Sequence, residues 1–161
     1  MFLKVQTELN NCGRISTWLS AKLATVIATV VLSGFAVVTS AQTNVSGAIA
    51  VNTQWTLANS PYLVSGDVTI QNGAVLTIDS GVTLYMAANT GLAVQSGAIQ
   101  AVGTALNPIK VLSDKTRIDQ AAAAGDWNQW VFNSGTVNTR LEFVTFQHGK
   151  GLSVKGSAPI F

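Results

Sequence analysis

The chain has 161 residues, of which 48% are hydrophobic and 10% charged, with one histidine and one cysteine. Its basic excess belongs to the first 41 residues. From Gln42 onward, Lys110, Lys115, Arg117, Arg140, Lys150 and Lys155 balance Asp67, Asp79, Asp114, Asp119, Asp126 and Glu142, leaving no basic face for nucleic acid. Cys12 precedes this part, so disulfides, thiol chemistry and thiolate metal sites are excluded from it.

In chain order, the first expected element is a secretory signal. Lys4, Arg14 and Lys22 precede the uncharged run LATVIATVVLSGFAVV at 23–38, and the small residues Thr39-Ser40-Ala41 follow. A basic region, an apolar core and small residues at the cut are what the signal peptidase reads. We expect cleavage after Ala41, with Gln42 the new first residue. The alternative is an uncleaved anchor, because the run is only a little shorter than the roughly 17 to 25 residues that span a bilayer. Cys12 stands before the apolar core, on the wrong side for a lipid-anchored protein. The basic region is long, as a start codon set too far upstream would also make it.

Residues 42–57 are polar and small around Trp55 and read as a lead-in or cap. Strands are then expected at 62–64, 68–70, 75–78, 82–86, 92–94, 99–102, 109–112, 130–132, 141–146 and 152–154, where Val, Ile, Leu, Thr, Tyr and Phe concentrate. Gly66, Gly73, Gly81, Gly91, Gly97 and Gly103 fall between them as corners. The connections are too short for the helical crossovers that parallel strands usually need. Either a chain that winds onto itself, a β-solenoid, or a hairpin meander forming an antiparallel sandwich satisfies that spacing. Side chains at i and i+2 share a face, so Val82 and Leu84 point inward and Thr83 outward. Val64 matches Leu84, and Leu141 matches Phe161, at a spacing of about twenty, a common solenoid period. About three coils are expected. The run KTRIDQAAAAG at 115–125 breaks the pattern and reads as an excursion, flexible or holding one helical turn. At 158–161 a new strand opens with no polar cap after it, so the chain reads as the amino-terminal part of a longer protein.

Trp55-Thr56-Leu57, SPYLVSGDVTI, GAVLTIDSGVTLYM, AVGTALNPIKVLSD and GDWNQWVF together resemble secreted bacterial proteins with right-handed parallel β-helix repeats. The resemblance covers about two thirds of the chain, from Trp55 on. It implies an all-β fold, a right-handed parallel β-helix at 58–161, behind an apolar signal-peptide helix within 1–41 and the lead-in at 42–57. It also implies an exported protein, extracellular or at the cell surface. The family spans surface adhesins, cell-wall proteins and polysaccharide-processing enzymes, so it settles architecture and leaves activity open. Two departures bear on packing: Ser80-Gly81 stands where the family often has Pro-Gly, and Asn128-Gln129 follow GDW in place of a glycine.

Candidate chemistry is sparse. Asp67, Asp79 and Asp126 sit beside corners, where short acids bond the turning backbone. No two carboxylates share a strand face as a catalytic pair would, and no calcium loop is written. His148 is the only histidine, and Glu142, its nearest acid, is six positions away; a solvated corner explains it better than a base or ligand. Trp127, Trp130, Phe132, Phe143 and Phe146 form the densest aromatic region. Alternation sends most of them to the core, with Trp127 the best placed to be exposed and stack on a sugar ring. No regular Thr-x-Thr ladder marks an ice-binding face. We therefore expect no catalytic residue, metal or cofactor. The expected function is a non-enzymatic surface solenoid whose partners are glycans, and further coils or a second copy at its open carboxy end. The alternative is the amino-terminal cap region of a secreted polysaccharide lyase or hydrolase, its active site beyond residue 161. Trp127 and His148 remain weak ligand candidates.

Overall fold

A computed structural model describes residues 41–133 and 138–156. The apolar run at 23–38 and the strand opening at 158–161 lie outside the described residues. Among the described residues no helix is long and apolar enough to cross a membrane.

Twelve strands are described: β1 (Thr43–Ile49), β2 (Thr53–Trp55), β3 (Tyr62–Ile70), β4 (Ala74–Ile78), β5 (Thr83–Met86), β6 (Leu92–Val94), β7 (Gly97–Val102), β8 (Ile109–Ser113), β9 (Trp130–Phe132), β10 (Arg140–Glu142), β11 (Val144–Phe146) and β12 (Leu152–Val154). Every strand pair is parallel. The antiparallel sandwich is thereby eliminated, and the fold is an all-β parallel solenoid of about five turns.

Three ladders run along the axis. The first joins the start of β1, the start of β3, β5, β8 and β11. The second joins the end of β1, the end of β3, β6, β9 and β12. The third joins β2, β4, β7 and β10. Each turn visits the ladders in that order, and successive turns lie about 4.8 Å apart.

Alternation sorts side chains as the sequence implies. Val68, Leu92 and Trp130 stack inward at one level of the second ladder, Ile70, Val94 and Phe132 at the next, all at most 2% exposed. Trp55, Ile78, Ala101 and Leu141 form the matching column of the third ladder. Trp55 also stacks on Tyr62, ring centroids 5.3 Å apart, and the Thr56 amide donates to the Tyr62 hydroxyl at 2.7 Å. A polar tip satisfied at the rim lets two large rings close the core at this end.

Several expectations change. Residues 42–57 carry β1 and β2, which pair with β3 and β4 as a first turn, so the turns number about five where three were expected. β3 runs unbroken through Gly66, which sits at the bend between the first two ladders. The partner of Val64 is Met86, two positions beyond Leu84. The strand expected at 141–146 divides at Phe143, whose φ of 48° turns the chain from the third ladder to the first in one residue. The helical turn of the excursion, α1 (Asp114–Arg117), precedes the alanines, because the Ser113 hydroxyl caps it by accepting from the Lys115 amide at 3.3 Å. Ser80-Gly81 makes a sound corner without proline: Gly81 takes φ +81°, and the Ser80 hydroxyl donates to the Asn107 carbonyl at 2.8 Å.

Candidate functional site

The corner between the first and second ladders lengthens over the first four turns and shortens again in the fifth. One residue spans it in the first turn, and the later turns use residues 65–67, 87–91, 114–129 and 147–151. The segment 114–129 is the longest of these and stands as a wall beside the outer face of the second ladder.

Backbone hydrogen bonds knit the corner segments of successive turns. The Asn89 amide donates to the Asp126 carbonyl at 3.1 Å and the Asp126 amide to the His148 carbonyl at 2.9 Å. The Asn128 amide donates to the Thr90 carbonyl at 2.8 Å and the Lys150 amide to the Trp127 carbonyl at 3.2 Å. These are rungs without regular strand geometry, and they leave few orphan polar groups.

Asp126 fixes the long excursion. Its carboxylate accepts from the Lys115 ammonium at 2.7 Å, the Ser113 hydroxyl at 2.9 Å and the Ala123 amide at 2.9 Å. The Lys115 bond, foremost, and then the Ala123 amide hold its pKa down to about 2. A depressed carboxylate stabilises the fold above its unfolded range, and that contribution fades as pH falls from about 4 toward 2. Asp126→Asn should therefore unfold at a lower temperature than the parent near neutral pH, and the gap should close over that acid window. Melting curves against pH check this; a gap unchanged at acid pH would detach the effect from the carboxylate charge.

Trp127 is not exposed. It is fully buried, its indole N–H donates to the Gln147 carbonyl at 2.8 Å, and its ring lies where a Cβ at residue 149 would stand, so Gly149 is the space it fills. It offers no platform for a sugar. His148 lies half-buried beside it at φ 66°, its Nδ1 enclosed without a hydrogen-bond partner. It does not meet Glu142, whose partner is Arg140 at 2.6 Å.

Three further acids have structural partners. Asp79 accepts from the Gln54 amide group at 2.8 Å, Asp114 pairs with Arg117 at 2.6 Å, and Asp67 accepts from the Gly91 amide of the next turn at 2.8 Å. Among the described residues no three His, Cys, Asp or Glu side chains gather as a metal site would require. Of the six glycines expected at corners, Gly73 and Gly81 turn the chain at positive φ. Gly91 and Gly103 instead admit close backbone, the Gln129 carbonyl in one case and the Phe143 carbonyl in the other.

A groove of about 410 Å³ follows the wall, within the range of small-molecule sites. Its floor is the outward row Thr69, Ala93 and Val131 of the second ladder, in register across three turns. Its rim carries Asp67 at one end and Lys150 at the other, with the Asn128 and Gln129 amides between. The Lys150 ammonium donates to Asn128 Oδ1 at 2.8 Å, and Asn128 Nδ2 donates to the Asn89 carbonyl at 2.5 Å, so the rim is cross-braced. Sequence reasoning missed this groove because its members come from four turns. The one signal available was the lengthening of a single corner. No family model, curated protein or solved structure matches this chain.

Proposed function

We propose that this chain is the amino-terminal part of an exported, non-enzymatic surface protein, an adhesin or cell-envelope component, whose right-handed coils hold glycans in the corner groove. The observation that carries the reading is the groove itself: a small apolar floor framed by amides, a carboxylate and an ammonium. Sugars present that mixture of C–H faces and hydroxyls. The structural work done by Asp79, Asp114, Asp126 and Glu142 supports a binding role over catalysis.

The full chain, expressed and recovered from culture medium or cell envelope, should begin at Gln42 by amino-terminal sequencing. Recovery with residues 1–41 intact in the membrane would replace export and cleavage by anchorage. The same material should be retained on immobilised cell-envelope polysaccharide without releasing reducing ends. Turnover that disappears in Asp126→Asn or His148→Ala would overturn the non-enzymatic reading. Leu152 and Val154, in inward register on β12, are 38% and 43% exposed; further coils or a second copy of the chain would cover them. Sedimentation should then show association growing with concentration, and a clean monomer would remove the second copy.

A further inference from the structure

The charges at the two ends of the groove have hydrogen-bond partners but no opposite charge beside them. Among the described residues Asp126, Asp114 and Glu142 each hold a cation, whereas Asp67 and Lys150, like Asp79, Asp119, Lys110 and Lys155, make no ion pair; Asp67 and Lys150 are the two of these that border the groove. Asp67 spends one oxygen on the Gly91 amide and is exposed. A carboxylate has about four acceptor sites and an ammonium three donors, so Asp67 keeps acceptors and Lys150 keeps donors beyond its bond to Asn128. The two belong to the second and fifth turns, roughly 14 Å apart along the axis at the spacing of parallel strands.

Between them the groove is neutral and stepped. Thr69, Ala93 and Val131 present one small side chain per turn. An extended chain of rings lying along the axis would set one apolar face on each step. The bracing of Asn128 by both Lys150 and the Asn89 carbonyl holds the rim in place before a ligand arrives, which lowers the ordering cost of binding.

We propose that this groove binds a linear oligosaccharide bearing both a free amine and a carboxylate, laid along the axis with the amine toward Asp67 and the carboxylate toward Lys150. The inference rests on the glycan-binding reading above and adds the ligand's charge and direction. Opposite charges at opposite ends make the reversed ligand worse by placing like charges together.

Calorimetric titration of the full chain with two tetrasaccharides tests it: one alternating glucosamine and glucuronate, the other a neutral glucan. The zwitterionic probe should bind about tenfold tighter, the order expected of two partly exposed ion pairs. Asp67→Asn, which retains an oxygen for the Gly91 amide, and Lys150→Gln, which retains a donor, should each remove about threefold of that preference. Added salt should erode it. Ala93→Trp, on the outward face, should block both probes, with Val131→Gln as a second groove variant if the first does not fold. Equal affinity for the two probes, with Ala93→Trp still blocking, would overturn the charge assignment and leave glycan binding standing. Binding indifferent to both groove variants would overturn the site. No binding of either probe would also overturn it, and the broader function falls only if immobilised polysaccharide is ignored too.

Discussion

Trp127→Ala should lower folding stability by about 3–5 kcal/mol, the range for truncating a fully buried tryptophan. The ring is enclosed, and its loss opens a cavity beneath the corner segments of the fourth and fifth turns. The Gln147 carbonyl also loses the indole N–H at 2.8 Å, a partly buried hydrogen bond whose loss adds a smaller cost. Asn128 and the Trp127 backbone bridge to Gly149 are adjacent, so the groove rim should loosen together with the fold. Equilibrium urea unfolding and glycan retention on the same variant measure the two effects. A stability change under about 1 kcal/mol would mean that the corner does not stand on this ring.

Gly97→Ala should cost about 3 kcal/mol or more, through backbone in place of a cavity. Gly97 opens β7 in register with Ala74 of the turn beneath, at φ +147°. A Cβ there would stand well under 3.0 Å from the Ala74 carbonyl and 3.1 Å from Ile70 Cγ2. The carbonyl belongs to the ladder and cannot swing aside, so the third ladder must part locally. Gly73→Ala is the matched control. Its φ of +73° carries strain of about 1–2 kcal/mol, but a Cβ there meets nothing within 4 Å. Urea midpoints should place Gly97→Ala far below Gly73→Ala, and equal values would refute the steric account.

The inward placing of Val82 and Leu84 and the outward placing of Thr83 were legible because strand alternation is a local constraint. Val82 and Leu84 are both fully buried, as the alternation implies, and the same alternation continues inward at Leu76, Val94 and Ile109. The first turn was not legible. Inward register on β1 falls to Thr43, Val45, Gly47 and Ile49, too weak a pattern to read, and the strand is held by its pairing with β3. The twenty-residue period failed for a related reason. Turn length depends on corner length, and corner segments vary while ladders stay in register. Trp127 shows the limit most sharply. It lies in a corner, where period-two alternation has no meaning, and its burial follows from Gly149, a residue of the following turn. The groove shares that property, since no window of sequence contains both Asp67 and Lys150.

The uneven corners carry a consequence for how such a molecule can diversify. Closing a longer loop costs only slowly more as residues are added, and the extra length at 114–129 leaves β8 and β9 in register with their neighbours. The margin of the groove can thus be rebuilt while the rungs that support it stay untouched. Splicing a single bend would reshape that groove without disturbing the core.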